Sequence, residues 1–129
     1  MSYYYSATIN NTNFEAAVEQ VTEALSAEGF GVISTIDVST TLKKKIDVDF
    51  KKYTILGACN PKFAHHALEN EDKIGVFLPC NVVVIEQAPG QIEVAAVDPV
   101  ASMLATENTV LSEMSAEVGD KLKRVIESV

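Results

Sequence analysis

The sequence predicts one domain in which helices alternate with strands and the sheet carries both antiparallel and parallel pairings. Three observations lead to this. The chain of 129 residues is near the usual size of a single domain, and no linker, repeat or low-complexity tract divides it. Segments with a two-residue alternation of apolar side chains take turns with segments whose apolar residues recur every three or four positions. Ala88-Pro89-Gly90 is a tight turn between two β-rich runs and returns the chain antiparallel, whereas the helix expected from Asn60 to Asn70 joins two apolar runs as a parallel crossover would.

In chain order, Tyr3, Tyr5, Ala7 and Ile9 alternate with polar or exposed partners, which predicts a strand. Thr12 and Glu15 match a capping box, and Phe14, Val18, Val21 and Leu25 form one helical stripe after it. Glu15, Glu19 and Glu23 fall on the wet flank of that helix. Gly29 supplies its left-handed cap, with Phe30 placed to fold back on Leu25. Phe30 to Ile36 predicts a strand, and Ser39 or Thr40 caps a brief helix through Leu42 and Ile46. Tyr53 to Ala58 predicts an apolar strand that feeds into a helix capped by Asn60, with Pro61 at its first position. Phe63, Ala64, Ala67 and Leu68 make the apolar face of this helix and leave His65 and His66 on either side. Ile74 to Leu78 begins a further strand, bent at Pro79 and resumed from Asn81 to Gln87, and Gln91 to Val97 pairs back on it. Asp98-Pro99 opens a short helix with Val100, Met103 and Leu104 inward. The last segment carries Leu111, Met114, Val118, Leu122, Val125 and Val129 at helical steps, a stripe that serves as core or subunit contact.

Composition excludes several classes of function. A hydrophobic content of 47% with 22% charged residues belongs to a globular chain and not to a disordered one. The net charge of -8 repels phosphate backbones and anionic lipid, so neither nucleic acid nor a membrane surface is an expected partner. The basic cluster of Lys43 to Lys45, Lys51 and Lys52 is interleaved with Asp47 and Asp49, as on a solvated, salt-bridged face. The N-terminal stretch lacks the basic and apolar regions of a secretory signal, and the densest apolar run is far shorter than the ~20 residues that span a bilayer. A cytoplasmic protein with reduced cysteines is the expectation.

Chemistry-bearing residues concentrate between Tyr53 and Asn81, which holds both cysteines, both histidines and two Cys-Asn pairs. In a parallel crossover, Cys59 and Cys80 end neighbouring strands on one sheet edge, with Cys59 just before a helix N-terminus that favours a thiolate or a bound anion. Four readings fit that edge. The cysteines are small buried residues, with Asn60 and Asn81 bracketing turns. Alternatively, Cys59, Asn60, Cys80 and Asn81 line a site for a small polar or anionic ligand. A thiol reaction with Cys59 attacking and Cys80 resolving is the third, although the pair is not a Cys-x-x-Cys motif. The fourth is metal binding by Cys59, Cys80 and His65 or His66, whose identities suit zinc but whose spacing matches no common finger. No Ser-His-Asp set, phosphate-binding loop or cofactor motif is present in the sequence, so no cofactor is expected.

Leu56-Gly57-Ala58-Cys59-Asn60-Pro61, Ala64, Ala67, Leu68, Ile74-Gly75 and Leu78-Pro79-Cys80-Asn81-Val82-Val83-Val84 resemble the domain-of-unknown-function family 302. The likeness extends from Ile36-Asp37 through Leu42-Lys43-Lys44 to Asp98-Pro99. It implies a compact α+β domain with helices against a largely antiparallel sheet, often a homodimer, and no established activity. The family's paired cysteines and asparagines correspond to Cys59, Cys80, Asn60 and Asn81, with no assigned role, while His65 and His66 lie outside its pattern. With the crossover included, the expected fold is a two-layer α+β single domain on a mixed, largely antiparallel sheet.

Overall fold

Local chemistry starts and stops the elements of the computed structural model, which describes residues 2–129. Strand β1 (Tyr4–Asn10) leads into helix α1 (Phe14–Ala27). Its cap is Asn13, whose Oδ1 accepts from the Ala16 N–H at 2.8 Å; Thr12, the expected cap, stands one residue too early. At the other end Gly29 has φ 86°, and the Phe30 and Gly29 amides donate to the Leu25 and Ser26 carbonyls, the paired closure that a left-handed glycine permits.

Strand β2 (Gly31–Asp37) runs directly into α2 (Val38–Ile46). Asp37, and neither Ser39 nor Thr40, caps α2; its carboxylate accepts from the Thr40 amide and from the Ser39 and Thr40 hydroxyls. α2 buries no residue, and the Lys43 ammonium meets Asp47 and Asp49 at 3.0 and 3.1 Å, which makes this a solvated, ion-paired surface. β3 (Tyr53–Cys59) and α3 (Pro61–Asn70) follow, the latter capped by Asn60 with Pro61 in its first turn as the sequence predicts.

Asp72–Phe77 is a 3-10 helix instead of the expected strand, because its apolar residues do not share one buried face: Ile74 is 1% exposed and Val76 80%. The Leu78-Pro79 peptide is cis. β4 (Cys80–Ala88) and β5 (Gln91–Val97) form the hairpin predicted around Pro89-Gly90, with Gly90 at φ 77°. α4 (Pro99–Leu104) starts at the Asp98 cap, and α5 (Thr109–Ser128) at Asn108. In α4, Met103 is buried, whereas Leu104 points outward at 53% exposure, contrary to the sequence expectation.

All strand pairings in the sheet are antiparallel, in the order β1-β5-β4-β3-β2. The fold is thus the expected two-layer α+β domain, but the expected parallel crossover does not occur. α3 and the 3-10 helix together reverse the chain, so β4 returns beside β3 in the opposite direction. Register places Tyr5, Ala96, Val82 and Leu56 in one row and Ala7, Val94, Val84 and Thr54 in the next. Against these rows pack Ala17, Val21 and Leu25 of α1 and Val118, Leu122, Val125 and Ile126 of α5. A smaller cluster of Ala67, Ile74, Met103 and Leu111 closes the end of the domain where β3 stops and β4 begins. Among the described residues no helix is long and apolar enough to cross a membrane.

Candidate functional site

At that end the sheet and the helices do not close completely. A cavity of about 290 Å³ lies between the Cys59 and Cys80 ends of β3 and β4 and the helices α3, α4 and α5. Its walls are nearly all apolar: Phe30, Ala58, Phe63, Ala64, Ala67, Leu78, Pro79, Met103, Leu111, Met114 and Val118 among them. The polar exceptions are Asn60, Ser115 and the two thiols, and the Ser115 hydroxyl is occupied in donating to the Ser112 carbonyl at 2.7 Å. No lysine, arginine, histidine or carboxylate lines it.

The two cysteines reach the same end of the sheet by a route different from the one the sequence suggested. Cys80 pairs with Ala58 in the antiparallel ladder, so Cys59 is one residue beyond its direct partner. Cys80 shares the helix-covered side of β4 with Val82 and Val84, since alternate residues of a strand face the same way. Burial pushes its thiol up from an ordinary 9.0 to about 11, and the nearby Cys59 adds to the rise. At neutral pH Cys80 is therefore a protonated thiol. Both cysteines are free.

Asn60 joins this edge to the helix layer. Its Oδ1 faces the Phe63 amide at 3.5 Å, a long capping contact, and a Cβ on Gly29 would stand 3.1 Å from its Nδ2. Gly57 shows how closely the opposite face is filled: a Cβ there would lie 2.8 Å from Pro79 Cγ and closer still to Ser34 Oγ. Side-chain-free backbone at this position lets Pro79 and Ser34 sit over the face of β3 turned away from Cys80.

The structure thus brings Cys59, Asn60 and Cys80 together and separates Asn81 from them. Asn81 is exposed, pairs with Gly57, and by strand alternation faces away from the cavity. His65 and His66 are exposed on α3 and do not line the cavity. His65 Nε2 instead faces Glu69 Oε1 at 3.2 Å in solvent. Among the described residues no three of His, Cys, Asp and Glu stand close enough to hold a metal ion, which removes the imidazoles from the expected zinc set. Sequence reasoning missed Met103, Met114 and Leu111 as site residues. They lie in stripes legible only as core, and nothing in their spacing marks a void beside them.

The sequence matches the family described as Domain of unknown function DUF302 over residues 5–129. Among solved structures, the fold is similar to the crystal structure of an uncharacterized conserved DUF302 protein from Bacillus stearothermophilus. That likeness has a TM-score of 0.89 at 28% sequence identity and covers 99% of this chain and 98% of the other. No match is found among curated proteins. With a family match across nearly its whole length and a fold shared with a solved member, this chain belongs to the DUF302 family.

Proposed function

We propose that the protein binds a small ligand in the cavity between the sheet edge and α3, α4 and α5, with an apolar body inside and a short polar group at Cys59, Asn60 and Cys80. The apolar, half-enclosed cavity of about 290 Å³ carries this reading, since its volume falls just short of the ~300–1,000 Å³ range of small-molecule sites and so fits a small occupant. The polar or anionic ligand expected from the sequence becomes a largely apolar one. A buried anion here would find no cationic side chain in the lining, and burying an unpaired charge is costly. Two thiols and one carboxamide suffice to orient a hydroxyl or carbonyl.

The thiol-reaction alternative draws less support, because a Cys80 thiol raised to about 11 is a poor nucleophile at neutral pH. Titration of the labelled protein with indole and with hexan-1-ol, followed by amide NMR shifts, tests the ligand reading. Saturable shifts are expected at Ala64, Ala67, Met103 and Met114, and should vanish in Ala67→Phe, which fills the void. Shifts that do not saturate, or that persist in the filled variant, overturn it.

A further inference from the structure

We propose that the cavity takes the unbranched alkyl chain of a medium-chain carboxylate, about ten to twelve carbons long, whose head emerges past Asn60 to Lys62 and Lys121. The proposal rests on the small-ligand reading and deepens it to a chemical class. Two hollows that share Asn60 carry it. Beside the apolar cavity is a more open hollow of about 510 Å³, lined by Ala27, Glu28, Gly29, Pro61, Lys62 and Lys121 together with Asn60. The Asn60 Oδ1 faces the amide of Phe63, which lines the cavity, and its Nδ2 is toward Gly29, which lines the second hollow.

Length and volume select the chain. Phe63, Ala64, Ala67 and Leu68 of α3 form one wall of the cavity, and from Asn60 to Leu68 the helix rise of 1.5 Å per residue extends it over roughly 12 Å. A zigzag of about ten carbons with ~1.5 Å bonds covers that distance. Volume agrees: a cavity of ~150 Å³ holds one benzene, so about 290 Å³ holds roughly twelve carbons. Leu68, 45% exposed, leaves the end opposite Asn60 open, so a longer chain reaches water there. Charge places the head outside the cavity, in keeping with the uncharged lining. Lys62 is exposed and Lys121 half-buried, and neither has an ion-pair partner among the described residues. The one acid of the second hollow, Glu28, is engaged by Arg124, whose Nε and Nη2 donate to its Oε1 at 3.1 and 3.0 Å. Two ammonium groups therefore line the hollow without a counter-charge, and a single carboxylate meets them while it stays hydrated. The net charge of -8 opposes a dianionic head.

The test is isothermal titration calorimetry of the reduced full chain at pH 7 with straight-chain carboxylates from hexanoate to tetradecanoate below their micelle concentrations. Decan-1-ol and decyltrimethylammonium serve as head-group controls. One site is expected, with affinity rising roughly fourfold per methylene up to about ten to twelve carbons and level beyond. Wild type should bind decanoate more tightly than either control. Lys62→Gln with Lys121→Gln should weaken decanoate about tenfold and leave decan-1-ol unchanged, since exposed ion pairs contribute a few-fold each. Circular dichroism checks that the variants are folded, and the head-group comparison in wild type needs no variant. An affinity independent of chain length, or decanoate binding that persists in Ala67→Phe, overturns the chain assignment. Decanoate no tighter than decan-1-ol, or equally weakened binding of both in the lysine variant, overturns the head assignment. Indole binding without alkyl-chain binding overturns this proposal alone, whereas no binding of indole, hexan-1-ol or any carboxylate overturns the ligand reading with it.

Discussion

Cys80 continues the Val82 and Val84 side of β4, and that alternation is what withdraws its sulfur from water. The consequence for stability has a definite sign. Folding favours the protonated thiol, so its contribution is fully present below the unfolded value near 9.0 and is lost as pH rises through about 11. Two units correspond to an upper value on the order of 3 kcal/mol, because each unit is worth about 1.4 kcal/mol. Urea denaturation at pH 7 and pH 11 should therefore show a larger alkaline loss in wild type than in Cys80→Ser, which does not titrate in this range. Equal losses would mean that the sulfur is hydrated. The same alternation explains what was legible here and what was not. The two Cys-Asn pairs stood out in the sequence, but one step along a strand changes faces, so Asn81 left the site while Cys80 remained in it.

Between Tyr53 and Ala88 the elements themselves were readable, and their mutual direction was not. Asn60-Pro61 marks a helix start because a side-chain acceptor precedes a residue without an N–H, and that chemistry is local. Whether the next strand runs parallel depends on how the chain returns, and Asp72–Phe77 returns it through a 3-10 turn. A run such as Ile74-Gly75-Val76-Phe77 is apolar without periodicity, so strand and tight helix compete on equal terms. Removing the cap with Asn60→Ala should cost roughly 1 kcal/mol in urea denaturation, with Asn60→Asp close to wild type, because only an acceptor is needed. Gly57→Ala tests the packing on the other face of β3. The added methyl meets Pro79 Cγ and Ser34 Oγ, and overpacking of this kind costs ~1–3 kcal/mol. Ser34→Ala in the same chain should restore part of that loss by removing the oxygen, and no restoration would place the whole strain at Pro79.

For the whole molecule, the sheet has one face covered by α1 and α5 and another that they leave open. Register lines up Ile36, Ile55, Val83 and Ala95 across β2, β3, β4 and β5 on that second face. Ile36 is 49% exposed, and β2 is an edge strand whose outer side has no partner in the sheet among the described residues. A homodimer of the kind expected from the sequence would have a second copy of this face as its contact, since an apolar row can be complementary to itself under a two-fold axis. The size of the row limits the strength of such a pairing. Four strands at ~4.8 Å spacing, three residue rows deep, give roughly 400 Å² per copy, about half of what a standard interface contributes on each side. Self-association should therefore be weak and concentration-dependent. Sedimentation velocity across a hundredfold concentration range should show the mean mass rising from one chain towards two, and Val83→Lys should hold it at one. A mass independent of concentration, or a dimer unaffected by Val83→Lys, would exclude the open face as the contact.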